Sequence, residues 1–387
     1  MNIFYILLVM ATLLAILLEP QAALSAAQGT LNSWWSKVLP ALLPFFIASE
    51  LLSRLGLIRA LSVWLAPVMQ PLFRLPGAAS LSLLLGFFSG SPTGGAIAAE
   101  LRRQHLLTKN EGERVLAFCN NAGPLYLLIT VAALLEAPAA GLWLALVQYP
   151  VNLTLGLLLR FFAEKQAQTP LPRVTRGALL RQGLLALKEA PRQPFSLILK
   201  ESSMKALSNI GMIGAFMLCF SLLLLTLRIS GLLGLLQMAL LPLCRLFGLP
   251  ESLLPGLSEG FFEMTLGIQT LSEANAELFA KVLAAAIILG WSGLSIHAQI
   301  AGVCSNEKLS LKYYLPCRII HSLSAPLLLL LLQDYMELPG STFSGVALPE
   351  WLLLPGLMLL PAFIGLGILL AIAFCLCRRD QSSASGC

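Results

Sequence analysis

Four clusters of polar and helix-breaking residues interrupt long apolar runs, and their types suit gripping a small polar solute. The first is Ser89-Gly90-Ser91-Pro92-Thr93-Gly94-Gly95, where Gly and Pro stop a helix and leave amide and carbonyl groups free to hold an ion or a carboxylate. The second is Asn120-Asn121-Ala122-Gly123-Pro124, two amides followed by a break. In the third, Glu259-Gly260-Phe261-Phe262-Glu263-Met264-Thr265, the two carboxylates are four apart and share a face if the segment is helical. The fourth, Trp291-Ser292-Gly293-Leu294-Ser295-Ile296-His297-Ala298-Gln299, spreads Ser, His and Gln over two turns. Polar groups are costly in lipid and face protein or a cavity. Ser89, Gly90, Ser91, Thr93, Asn120, Asn121, Glu263, Thr265, Ser292, Ser295, His297 and Gln299 are therefore the candidate solute-binding residues. Each cluster also has a plainer reading: a hairpin tip that touches nothing, amides that only patch the broken backbone, Glu259 at the water interface, and His297 or His321 as packing residues.

Catalysis is not suggested. The histidines are His105, His297 and His321, with no G-x-S-x-G elbow and no H-E-x-x-H pair, so neither a hydrolytic triad nor a zinc site of that type is expected. The glycine-rich cluster lacks G-x-x-x-x-G-K-[ST] spacing and is not a phosphate loop. The eight cysteines fall mostly in apolar stretches without C-x-x-C spacing and read as packing residues. No catalytic residue, resident metal or cofactor is expected.

The elements that must position these clusters are membrane helices. With 57% hydrophobic and 11% charged residues and a mean hydropathy of +0.83, the chain carries more apolar surface than a soluble fold hides. An outer-membrane barrel would need alternation, which is absent. Spans of roughly 20 residues are expected near 2–18, 34–53, 113–136, 140–163, 204–227, 277–304, 313–333 and 351–376. The stretches 57–75 and 231–247, broken by Pro67, Pro71 and Pro242, read as interfacial helices; 79–107 and 252–274 read as hairpins that enter and return. Residues 2–18 lack a preceding basic region and read as a retained first helix, not a cleaved leader.

The net charge of +6 sits in short loops, which favours orientation over nucleic-acid binding. Lys165, Arg173, Arg176, Arg181, Lys188, Arg192 and Lys200 mark 164–200 as cytoplasmic; Arg102, Arg103, Lys308, Lys312, Arg378 and Arg379 fall on the same side, and so do both termini. The loops around Glu19, Glu136 and 334–350 carry no Lys or Arg and face outward.

The chain also matches itself weakly at an offset of about 174 residues. Leu72-Phe73-Arg74-Leu75-Pro76 meets Leu246-Phe247-Gly248-Leu249-Pro250, and Gly86-Phe87-Phe88 meets Gly260-Phe261-Phe262. An odd number of crossings per copy turns the second copy upside down, the inverted arrangement that carriers use for alternating access. The expected division is an N-terminal helix and outer loop (1–33), a first repeat (34–163), a basic linker (164–203), a second, inverted repeat (204–333) and a C-terminal helix with a short tail (334–387).

Several runs resemble one family. Gly86-Phe87-Phe88-Ser89-Gly90-Ser91-Pro92-Thr93-Gly94-Gly95, Phe118-Cys119-Asn120-Asn121-Ala122-Gly123-Pro124, Glu259-Gly260-Phe261-Phe262-Glu263 and Ser292-Gly293-Leu294-Ser295-Ile296-His297-Ala298-Gln299 are similar to the sporulation integral membrane protein family called YlbJ or SpoVV. The likeness covers about residues 34–333, with Gly94-Gly95 where a bulkier or charged residue is expected of some relatives. That family carries the nucleoside-recognition or Gate domain, a name shared with concentrative nucleoside transporters. The resemblance implies an all-α, inverted-repeat transporter-like fold of about eight spanning helices and two re-entrant hairpins. It also implies passage of dipicolinic acid toward the forespore across the outer forespore membrane. The partners then expected are the solute, the bilayer, a coupling ion (H+ or Na+) and a homo-oligomer, with no nucleic acid. Nucleoside or cation transport by the same fold, and a non-transporting assembly role in sporulation, stand as alternatives.

Overall fold

The computed structural model describes residues 2–164, 176–188 and 193–333, and every regular element among them is helical. Five helices among the described residues are long and apolar enough to cross a bilayer: Pro20–Arg54, Pro138–Phe162, Phe195–Ile229, Leu278–Ser305 and Tyr314–Leu332. The expected span at 351–376, the C-terminal unit 334–387 and the outward loop at 334–350 lie outside the described residues.

Two expectations change. Residues 20–33, expected as an outer loop, form helix α2 (Pro20–Ser33) after α1 (Asn2–Leu18): Pro20 starts it at a position where no N–H is needed, and its alanines favour helix despite their low hydropathy. It runs through a π-helical turn at Trp34–Val38 into α3 (Leu39–Arg54). The span 113–136 is broken where Asn120 to Pro124 stand, with α7 (Lys109–Cys119) giving way to extended backbone, a π-helical turn (Tyr126–Val131) and short α8 (Ala132–Leu134). The segment expected as a linker contains helix as well. Its α10 (Arg176–Lys188) buries Leu179 and Ala186, with Gly183 so close to Trp64 that a Cβ there would lie 1.9 Å from the indole nitrogen; the rest leads into α11 (Phe195–Ile229), which begins well before residue 204.

From α3 onward the elements follow one order twice. After α3 come α4 (Leu57–Val68), the pair α5 (Ala79–Ser89) and α6 (Thr93–Arg103), the broken α7–α8, and α9 (Pro138–Leu159). After α11 come α12 (Leu232–Leu246), the pair α13 (Leu254–Phe262) and α14 (Met264–Glu273), the interrupted α15 (Leu278–Trp291) and α16 (Gly293–Ser305), and α17 (Tyr314–Leu332). Left-handed residues recur at matching points: Gly56 and Gly231 precede α4 and α12, while Arg74 (φ 50°) and Gly248 (φ 63°) close the turns that follow. Arg74 lacks glycine's freedom there. The fully buried Arg114 of α7 holds its turn by donating 2.7 Å hydrogen bonds to the carbonyls of Phe73 and Arg74.

Small residues draw the paired helices together. A Cβ on Gly267 would lie 2.3 Å from Gly260 Cα, so α13 and α14 touch backbone to backbone as a hairpin. In the α5–α6 hairpin, Ser82 Oγ donates to Gly94 O at 2.7 Å, and a Cβ on Gly94 would meet Cys119 O at 2.5 Å. That crowding accounts for the small residue where a bulkier one was expected. Phe118, Leu127 and Leu144 from the first set pack into one apolar core with Leu257, Ile268 and Ile300 from the second.

Candidate functional site

Each hairpin tip docks on the helix break of its own set. Ser91 N donates to Asn121 O at 2.9 Å, and Gly90 (φ 75°) lies so near Gly123 that a Cβ would come within 2.9 Å of its nitrogen. In the second set, Trp291 Nε1 donates to Phe261 O at 2.9 Å, and a Cβ on Gly293 (φ 79°) would lie 3.1 Å from Met264 N and Phe262 O. The two docked tips face each other across a cavity of about 50 Å³, room for a few water molecules.

All four clusters reach this cavity. Ser89, Gly90 and Ser91 line it from the first tip, Asn121 to Gly123 from the first break, Glu263 to Thr265 from the second tip, and Ser292, Ile296 and Gln299 from the second break. Aromatic and aliphatic side chains of α3 and α11, among them Phe45, Phe46 and Phe216, close the remaining wall. Two buried polar atoms of these lining residues have no hydrogen-bond partner in the protein: Asn121 Nδ2 and Gln299 Oε1. A buried polar atom without a partner is costly, and these two face the cavity.

Glu263 stands between α13 and α14 in extended conformation and accepts the Leu266 N–H at 2.8 Å, capping α14 with its carboxylate. Thr265 Oγ1, one residue into α14, lies 2.9 Å from Tyr126 Oη and thereby ties the second tip to the first break.

Other expected residues do different work. Asn120 patches the broken helix: its Oδ1 accepts Gly95 N–H at 3.0 Å and its Nδ2 donates to Leu116 O at 2.8 Å, so it does not line the cavity. Thr93 lies at the start of α6 with its N–H on Gly90 O, also away from the cavity. His297 packs edge-on against Trp291 and Tyr314 with Nδ1 3.0 Å from Tyr314 Oη, and Ser295 is buried away from the cavity as well. Helical geometry explains part of the division. Within α16, Ile296 and Gln299 share a face at a spacing of three and His297 points away from it; Ser295 shares that side by phase and still does not line the cavity. Glu259, expected at the water interface, is buried; it receives Arg228 Nη2 at 2.6 Å and Thr270 Oγ1 at 2.5 Å.

Arg318 and Tyr126 are the contributors that the sequence reading passed over. Arg318 of α17 is fully buried, and its guanidinium donates to the carbonyls of Ala117 (3.2 Å) and Asn120 (3.1 Å), to Asn152 Oδ1 (2.5 Å) and to Asn121 Oδ1 (3.4 Å). It thus caps the broken end of α7 from the other set of helices. The signal was available: a lone arginine inside an apolar span marks a functional position by default. At the end of α7 away from the break, the fully buried Glu113 carboxylate accepts Ser310 N (3.0 Å), Ser310 Oγ (2.8 Å) and Lys312 Nζ (2.7 Å), fastening α7 to the loop before α17.

A family model described as "Gate: Nucleoside recognition" matches residues 35–136. The sporulation integral membrane protein YlbJ of Bacillus subtilis (strain 168) is 34% identical over 322 residues, which cover 81% of this chain and 78% of that protein. A solved structure of CNTnw in an inward-facing substrate-bound state covers 88% of this chain and 85% of its own at 13% identity, with a TM-score of 0.49.

Proposed function

Because the chain belongs to the family of the sporulation integral membrane protein YlbJ, we propose that it is a multi-pass carrier of a small polar solute. One observation bears most of the weight: four polar breaks, far apart in sequence, converge on one cavity and leave Asn121 Nδ2 and Gln299 Oε1 without partners.

In this reading α5–α6 and α13–α14 are re-entrant hairpins, the two sets of elements are inverted repeats, and the docked tips exchange access between the two faces of the membrane. The match in element order and in left-handed positions supports this. The distribution of basic residues supports cytoplasmic termini. The solute we favour is dipicolinate, carried during sporulation across the outer forespore membrane. Its ring suits the aromatic wall, and its carboxylates suit the free Asn121 side-chain amide beside the first tip. Glu263 is the residue for a coupling proton or Na+.

Purified protein in liposomes tests the proposal by uptake of labelled dipicolinate, nucleosides and simple cations. Dipicolinate accumulation that saturates is the expected result. Nucleoside uptake in its place would replace the solute but keep the carrier, whereas no uptake of any of them would favour an assembly role.

A further inference from the structure

The fully buried Arg318 has four hydrogen-bond acceptors, all neutral, and no carboxylate pairs with it among the described residues. The C-terminal end of α7, which it caps, supplies about half a negative charge. A substantial part of the guanidinium charge is therefore left uncompensated beside the first helix break. A buried cation in that state polarises whatever amide it touches.

Of the two side-chain amides it touches, Asn152 at 2.5 Å and Asn121 at 3.4 Å, Asn121 is the one that lines the cavity. A guanidinium only donates, so the Asn121 atom facing it must be the oxygen, and the Nδ2 group is turned the other way. Nδ2 is also the atom left without a partner, and Asn121, 2% exposed, lines the cavity. Resting on the carrier reading above, we infer that Arg318 is a positioning residue that fixes Asn121 as a polarised donor, so that the solute group docking there is an anionic acceptor. Arg318 itself does not line the cavity; it acts through Asn121.

The remaining polar groups agree with this polarity. Ser91 N–H and Oγ are both directed at Asn121 O, which leaves the Asn121 amide nitrogen as the free donor on that side. Ser89 Oγ is engaged with Ser49 Oγ at 2.8 Å. Glu263 lines the opposite tip, and a carboxylate there turns an anionic group away from itself and toward Asn121.

The test uses the full-length protein in detergent and two probes of the same shape, dipicolinate and its neutral diamide, pyridine-2,6-dicarboxamide. The quantity read is the ratio of their dissociation constants, which a partial loss of folded protein does not change. Wild type prefers the dicarboxylate. In Arg318→Gln, which removes the charge, the preference falls at least tenfold, and Arg318→Lys, which restores a charge, keeps more of it. Asn121→Asp, which turns the donor into an acceptor and pairs with Arg318, abolishes the preference even if the Arg318 variants fold poorly. Equal binding of both probes by wild type, or a preference that survives Arg318→Gln and Asn121→Asp, overturns the inference. A preference without vesicle uptake would sink the carrier reading alone.

Discussion

Tyr126 Oη lies 2.9 Å from Thr265 Oγ1, a side-chain hydrogen bond between the break of one set of helices and the hairpin tip of the other. Both residues are buried against the cavity, so water does not substitute for either partner. The bond is a latch in the state described here. Tyr126→Phe and Thr265→Val are each expected to destabilise the protein by about 1 kcal/mol, and the double variant by little more than one single. Thermal melting of the four proteins in detergent checks this; additive losses would show that the two hydroxyls act separately.

Glu263 carries two separable jobs. Glu263→Gln keeps an oxygen for the Leu266 N–H but loses the charge, so the fold is expected to hold while solute uptake falls at least tenfold, a change of about 1.4 kcal/mol in the equilibrium or barrier concerned. Glu263→Ala additionally removes the cap of α14 at a cost of about 1 kcal/mol. Uptake and melting measured together distinguish these outcomes. Full uptake by Glu263→Gln would remove the carboxylate from the mechanism.

The second hairpin depends on backbone contact. Gly267→Ala puts a methyl group 2.3 Å from Gly260 Cα, which the helices accommodate only by separating. A loss of about 1–3 kcal/mol is expected from overpacking, together with reduced uptake, because the displaced tip carries Glu263 and Thr265. Gly234→Ala, where a Cβ meets nothing within 4 Å, is the control and is expected to leave both unchanged.

Away from the membrane-spanning helices, Lys312 reaches the buried Glu113 at 2.7 Å, and this hydrogen bond raises the lysine pKa above its ordinary value of 10.5. A pKa raised by folding contributes stability that is complete below the ordinary value and lost as pH climbs through the raised one. The melting difference between wild type and Lys312→Met is therefore expected to stay constant from about pH 6 to 9 and to shrink above about 10.5. Glu113→Ala is expected to cost more than Lys312→Met, because the half-exposed lysine is screened by solvent whereas the carboxylate also satisfies Ser310.

The cavity lining was legible in the sequence where a polar or breaker residue stood inside an apolar run, since lipid gives such residues no other refuge. Ser91, Asn121, Glu263 and Gln299 were visible for that reason. His297 lies on a different face of α16 from Ile296 and Gln299 and does not line the cavity, a matter of helical phase that residue type does not carry. Asn120 and Asn121, adjacent and identical in type, divide into a backbone patch and a cavity donor, a distinction made only by tertiary contacts with Gly95 and Arg318. Residues 20–33 failed on hydropathy, which reports burial in lipid and not helix propensity. Arg318 was hidden by the leucines that follow it in the same span.

Convergence of the two tips on one solute is the central claim, and a structure of the protein with dipicolinate bound tests it most directly. The account predicts density for the ligand between Ser91 and Asn121 on one side and Glu263 and Gln299 on the other, with a carboxylate at hydrogen-bond distance from Asn121 Nδ2. Ligand bound elsewhere, with these tips closed on each other and Asn121 Nδ2 still unpartnered, would contradict it.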